Sequence, residues 1–107
     1  MPASRLRCVL RDDVCEIRVL IRHTMDNGRM RDPVTGAGIP AHYIEHLSLH
    51  SGSRLLLDCT LSTALAKDPY LTFDYPEGRA GESITLRWRD NLGQHEEVQA
   101  QIESADA

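Results

Sequence analysis

Apolar and polar residues alternate almost one for one along much of this chain, and a period of two is the pattern of a β-strand with one buried face. Leu6, Cys8 and Leu10 alternate with charged or neutral neighbours, and Cys15, Ile17, Val19 and Ile21 alternate with Glu16, Arg18 and Leu20. Ile84, Leu86 and Trp88 repeat the pattern against Thr85, Arg87 and Arg89, and Val98, Ala100 and Ile102 mark the inner face of a last strand. Three more runs read as strands: His42 to His50, which ends at Ser51-Gly52-Ser53; Arg54 to Leu61, which reads as buried; and Tyr70 to Tyr75, rich in aromatics. Turn chemistry separates them at Pro76 to Glu82 and at Asp90-Asn91-Leu92-Gly93.

Seven short strands with turn signals between them and no long helical period predict an all-β fold, an immunoglobulin-like β-sandwich of about seven strands. A small barrel is the structural alternative. The 107 residues make one domain, 1–107, with a loose tail from about Glu103. With 41% hydrophobic and 26% charged residues, the chain has the balance of a protein that folds around a core. Sixteen acids against twelve bases give a net charge of −4, and the arginines are spread among acids and apolar residues, so no basic stripe for nucleic acid is visible. No run approaches the ~20 apolar residues that cross a bilayer. The residues Met1 to Arg5 are not followed by an apolar segment, so no signal peptide is expected and the chain by itself reads as cytosolic.

Histidines and cysteines are the candidates for chemistry. His42, His46 and His50 stand at i, i+4 and i+8, a spacing that brings zinc ligands together on a helix. This run leads into a strand, where residues four apart lie roughly 13 Å from one another. That is too far for two ligands of one ion, and a partly wetted strand face is expected. Cys8 and Cys15 share the parity of the apolar residues around them and read as inert core thiols, joined by a connection longer than two residues and therefore offset. Cys59 has the same core reading. His23 and Met25 offer soft copper ligands two residues apart, a pairing that chance also produces. No phosphate loop, nucleophile elbow or paired-carboxylate motif is present, so no enzymatic activity and no cofactor is expected.

The segment from His23 to Pro40, with Gly28, Pro33, Gly36 and Gly38, breaks the alternation and reads as a long irregular loop. Its sequence, Ile21-Arg22-His23-Thr24-Met25-Asp26-Asn27-Gly28-Arg29-Met30-Arg31-Asp32, resembles the H-x-M-(E/D)-(T/S/N)-G, basic, Asp pattern of SoxZ, the Z subunit of the Sox thiosulfate-oxidation carrier complex. Gly38-Ile39-Pro40-Ala41-His42-Tyr43-Ile44 is similar to that family's G-x-x-I-P-x-x-(Y/F)-I, and Asp68-Pro69-Tyr70-Leu71-Thr72-Phe73 to its N-P-(Y/F)-x-x-F. Ala80-Gly81-Glu82 and Trp88-Arg89-Asp90-Asn91-Leu92-Gly93 resemble its A-G-(D/E) and W-x-D-x-x-G. The blocks come in family order across about residues 17 to 102.

The resemblance implies an immunoglobulin-like sandwich that forms a heterodimer with SoxY, whose terminal cysteine carries the sulfur intermediate on a glycine-flanked arm. This chain ends Ile102-Glu103-Ser104-Ala105-Asp106-Ala107 without such an arm. The resemblance therefore implies a non-catalytic subunit that presents the loaded arm to Sox enzymes, and a periplasmic site reached by co-export with the partner. Residues expected at the partner interface are His23, Met25, Arg31, Asp32, Ile39, Pro40, Asp68, Pro69 and Tyr70. Two departures stand out. Arg11-Asp12-Asp13 replaces a glycine-containing turn, and Ala66-Lys67-Asp68-Pro69 replaces Ser-x-Asn-Pro, where Asp is expected to keep an Asx-type turn. The three cysteines lie outside the family pattern and leave an inter-subunit disulfide open. Competing readings are a stand-alone metal- or small-ligand-binding sandwich, and a thiol enzyme or direct sulfur carrier using Cys59 or Cys8.

Overall fold

The computed structural model describes residues 4–61 and 67–104. The strands are β1 (Ser4–Arg11), β2 (Val14–Ile21), β3 (Ile44–Ser51), β4 (Arg54–Thr60), β5 (Tyr70–Tyr75), β6 (Ser83–Asp90) and β7 (His95–Ser104), and no helix occurs among the described residues. They form one sheet in the order β4-β3-β6-β7-β1-β2-β5. The sheet curls into two layers because β7 changes partner along its length. Its first part runs antiparallel to β6 from Arg89↔His95 to Ser83↔Gln101. Its end then runs parallel to β1, with Cys8↔Ile102, Val9↔Glu103 and Leu10↔Ser104. This all-β, sandwich-like architecture matches the class read from the alternation. The tail expected to be loose from Glu103 is instead ordered to Ser104, recruited by that parallel pairing; 105–107 lie outside the described residues.

Period two becomes burial most cleanly in β2, where Cys15, Ile17, Val19 and Ile21 all face inward and are buried. Cys8 of β1, Ile44, Leu47 and Leu49 of β3, Ile84, Leu86 and Trp88 of β6 and Ile102 of β7 complete one core. Each fully buried aliphatic side chain there stabilises the fold by about 1.5–3 kcal/mol. β4 is a correction: it forms an edge, and Leu55 is 52% exposed. The register explains why. Leu57 lies opposite Leu49, but Leu55 lies opposite His50, so Leu56 is the extra residue of a bulge that turns Leu55 outward.

The β1–β2 connection is also shorter than expected. Asp12 and Asp13 alone link the strands, both with positive φ, +50° and +66°. Positive φ at both central positions is the requirement of a type I′ hairpin, and Asp tolerates it better than most residues with a Cβ. The cysteines are nonetheless offset: Cys15 faces Leu10, and Cys8 faces Ile17. All three thiols are free.

The segment expected to be an irregular loop is a hairpin arm. Asp26 and His42 exchange backbone hydrogen bonds of 2.7 and 2.9 Å, Ile39 N donates to Met30 O at 2.8 Å, and Asp32 N donates to Ala37 O at 2.8 Å. At the tip Asp32 Oδ1 accepts from Val34 N at 2.7 Å and Thr35 N at 3.2 Å. Main-chain bonds, not an alternating apolar face, hold this ladder, so hydrophobic periodicity carries no trace of it.

Gly78, after β5, is buried where the turn crosses the core. A Cβ there would lie 2.7 Å from Cys15 Cβ and 3.2 Å from Ile102 Cδ1. Gly78→Ala is therefore expected to destabilise the domain by about 1–3 kcal/mol through overpacking, read as a lower urea midpoint with an unchanged slope.

Candidate functional site

The inward stripe of β6 runs Ile84, Leu86, Trp88 and then Asp90, so the last position of an apolar row carries a charge. Asp90 is 1% exposed. Its Oδ2 accepts from His23 Nε2 at 3.0 Å and from His42 Nε2 at 2.7 Å. Its Oδ1 accepts from Leu92 N at 3.0 Å and from Gln94 N at 2.8 Å, which closes the β6–β7 turn. Burial pushes the Asp90 carboxyl up, but the hydrogen bonds from His23, His42, Gln94 and Leu92 outweigh it and hold the group below its ordinary value.

His23 continues the inward parity of β2 by one more step and is itself buried. Its Nδ1 accepts from Met25 N at 3.1 Å, so the ring proton sits on Nε2 and points at Asp90. The ring meets His42 edge-on at 4.4 Å and Trp88 at 5.7 Å, and Trp88 Nε1 donates to Ser4 Oγ at 2.7 Å. The His23 backbone is clamped from the far side by Asp68, whose Oδ1 accepts from His23 N at 2.8 Å and whose N donates to His23 O at 2.8 Å. The carboxylate expected to close a local Asx turn thus reaches across to His23, just past the end of β2, from a residue with φ +52°. Met25 Sδ accepts from Ile44 N at 3.4 Å, while Asn91 bonds the backbone of Tyr43 and Ala41. Both roots of the arm are therefore tied to the end of β6.

The remaining candidates scatter. His46 pairs with Asp58 and His50 with Ser48 on the outer face of β3, away from His42, which lies before the strand. His23 and Met25 are buried, at 7% and 6% exposure. Arg31 and Pro40 are exposed on the arm and Ile39 is half-buried, while Asp32 serves its tip. Asp68 is exposed, Pro69 is buried, and Tyr70 is 58% exposed. Burial pushes the Cys8 thiol up to about 12, with the neighbouring Cys15 and Glu103 adding to it, and the Cys15 thiol is raised by burial and then by Glu82 and Glu16. Neither is a ready nucleophile. Cys59 is partly buried opposite Leu47.

Ligand atoms of His23, His42 and Asp90 lie within 4.8 Å of one another, a cluster that the sequence spacing did not reveal. A metal would need His23 Nε2 unprotonated. The proton would then fall on Nδ1, against the Met25 N–H that it now accepts. The donor pattern is that of a hydrogen-bonded hub. The signal available in the sequence was Asp90 itself, a carboxylate at core parity two residues after Trp88, which has to find donors.

Asp90→Ala strands the His23 N–H and two backbone N–H groups, and is expected to cost about 3 kcal/mol or more in urea unfolding. With its folded pKa depressed, Asp90 contributes fully above the ordinary carboxylate value of about 4, and that contribution is lost as pH falls through the folded value, because the unfolded chain binds the proton first. The stability gap between the parent and Asp90→Asn should therefore be widest near pH 6 and close in acid, measured by urea midpoints from pH 6 to 2. Added zinc should leave the melting temperature unchanged, since a ligand of the native state would raise it.

No curated protein matches the chain. Among solved structures, a superoxide reductase (neelaredoxin) from Ignicoccus hospitalis aligns with a TM-score of 0.57 over 96% of this chain and 80% of that chain, at 14% identity. That likeness establishes the fold and nothing of the chemistry. The family model of the sulphur oxidation protein SoxZ matches residues 5–101. That span includes every block that meets around Asp90 (His23 to Met25, His42 to Ile44, Asp68 and Trp88 to Asn91), and on it the chain belongs to the SoxZ family of the Sox sulfur-oxidation system.

Proposed function

We propose that this chain is the non-catalytic subunit of a SoxYZ-type sulfur carrier, binding a SoxY-like protein and supporting the presentation of its cysteine-bound sulfur to Sox enzymes. The observation that carries the reading is the match to the SoxZ family along nearly the whole chain. The chemistry of the domain agrees with it. The most buried polar cluster is spent on holding the arm, and two of the three thiols are sealed in the core. Arg31, Ile39, Pro40, Asp68 and Tyr70 retain surface that a partner can meet, whereas His23, Met25 and Pro69 act from behind by fixing the arm and the adjoining turn. The site of action on this reading is the periplasm, reached together with the partner.

Co-expression with a SoxY-like subunit is expected to yield a stable one-to-one complex on size exclusion at micromolar concentration, and two separate peaks would overturn the reading. After exposure of that complex to thiosulfate under turnover with the Sox enzymes, intact-mass measurement should find sulfur adducts on the partner and the unmodified mass of this chain.

A further inference from the structure

The chain is acidic overall, with a net charge of −4, yet on the outer face of β1, β2 and β5 three arginines gather at one end, while Glu16 and Asp74, with Arg11 beyond them, lie toward the other. Arg5 and Arg7 project from β1, Arg18 and Leu20 from β2 and Tyr70 from β5, and these five line one shallow depression of about 160 Å³. The register places Arg7 directly opposite Arg18. Farther along the same face it places Glu16 directly opposite Asp74. Like charges facing each other across strands are destabilising, and this face holds one such pair of each sign. Arg18 is bonded to Glu16 along its own strand, but Arg5 and Arg7 have no carboxylate partner among the described residues. The sequence conceals this stripe, because the arginines of β1 and β2 are interleaved with core residues and only strand pairing lines them up.

We propose that this face is the docking surface for a partner protein of reciprocal charge order, with carboxylates against Arg5, Arg7 and Arg18 and a basic group against Glu16 and Asp74. Arginine and tyrosine around an apolar residue, here Leu20, is the composition of the centre of a protein interface. A carboxylate set between Arg7 and Arg18 relieves their repulsion and gains charge-assisted hydrogen bonds from both. A free anion has less to gain: the guanidiniums are solvent-facing, and exposed ion pairs contribute little. The two charged zones also fix which way round the partner sits, since a reversed docking brings like charges together.

This inference rests on the reading of the chain as a carrier subunit, and the cysteine-bearing SoxY-like protein is the partner to test. Arg5→Glu/Arg7→Glu is compared with Arg87→Glu/Arg89→Glu, which reverses two arginines of β6 that already pair with Glu97 and Glu45. Affinity is measured by titration calorimetry at two salt concentrations. The β1 variant is expected to bind about 10- to 100-fold more weakly and with a shallower salt dependence, and the β6 variant within about threefold of the parent. The free β1 variant should melt no lower than the parent, because it replaces the Arg7–Arg18 repulsion with attraction. Unchanged affinity of the β1 variant, or an equal loss in the β6 variant, overturns the surface alone. Failure of the parent chain to form any complex overturns the carrier reading and the surface with it.

Discussion

A carboxylate enclosed by protein is expensive unless its lone pairs are filled, and Asp90 fills them with four donors from three separate stretches of chain. Two are imidazole N–H groups, from His23 and His42, and two are backbone N–H groups of its own turn. Removing one ion from water costs several kcal/mol before compensation, so the geometry of these donors is under strong constraint. That constraint ties the end of β2 and the start of β3 to the β6–β7 turn. The arm between β2 and β3 leaves the body of the protein from a fixed base because of it. The clamp of Asp68 on the His23 backbone adds the entry of β5 to the same knot.

The second constraint is topological. β7 is shared by the two layers, antiparallel to β6 at one end and parallel to β1 at the other. β4 and β5 are left as the two edges of the sheet. The bulge at Leu56 disturbs the regular run of β4, and irregular edges resist pairing with other chains. The register of β2 between β1 and β5 then decides which outer residues meet, including the two like-charge pairs.

Much of this was legible in the chain. The alternation of Cys15, Ile17, Val19 and Ile21, and of Ile84, Leu86 and Trp88, is a local property, and it predicted strands, inward faces and the all-β class. What it could not supply was any relation between residues far apart. His23 and Asp90 are 67 positions apart, and their contact depends on β2 and β6 lying in facing layers. The strand reading already kept His42, His46 and His50 apart, and β3 does send His46 and His50 outward; what it missed is that His42 lies before the strand, at the root of the arm. Leu55 was misplaced because a bulge shifts parity without changing composition. The absence of glycine argued for a connection longer than two residues between β1 and β2, although Asp12 and Asp13 adopt the backbone that a two-residue turn needs.

The arm has a consequence for how such a domain can change. Its ladder from Asp26 to His42 is built from main-chain bonds, and the residues that shape it are few: the positive-φ glycines Gly28 and Gly36, the turn-closing Asn27, Asp32 and Thr35, Arg31 on Gly36 O and the anchoring His42. The core depends on strands elsewhere. Residues such as Met30, Val34 and Pro40, exposed along it, are thereby decoupled from folding. Substitution there changes what the protein presents to its surroundings without reopening the question of how it folds, so recognition is free to diversify on a scaffold that stays the same.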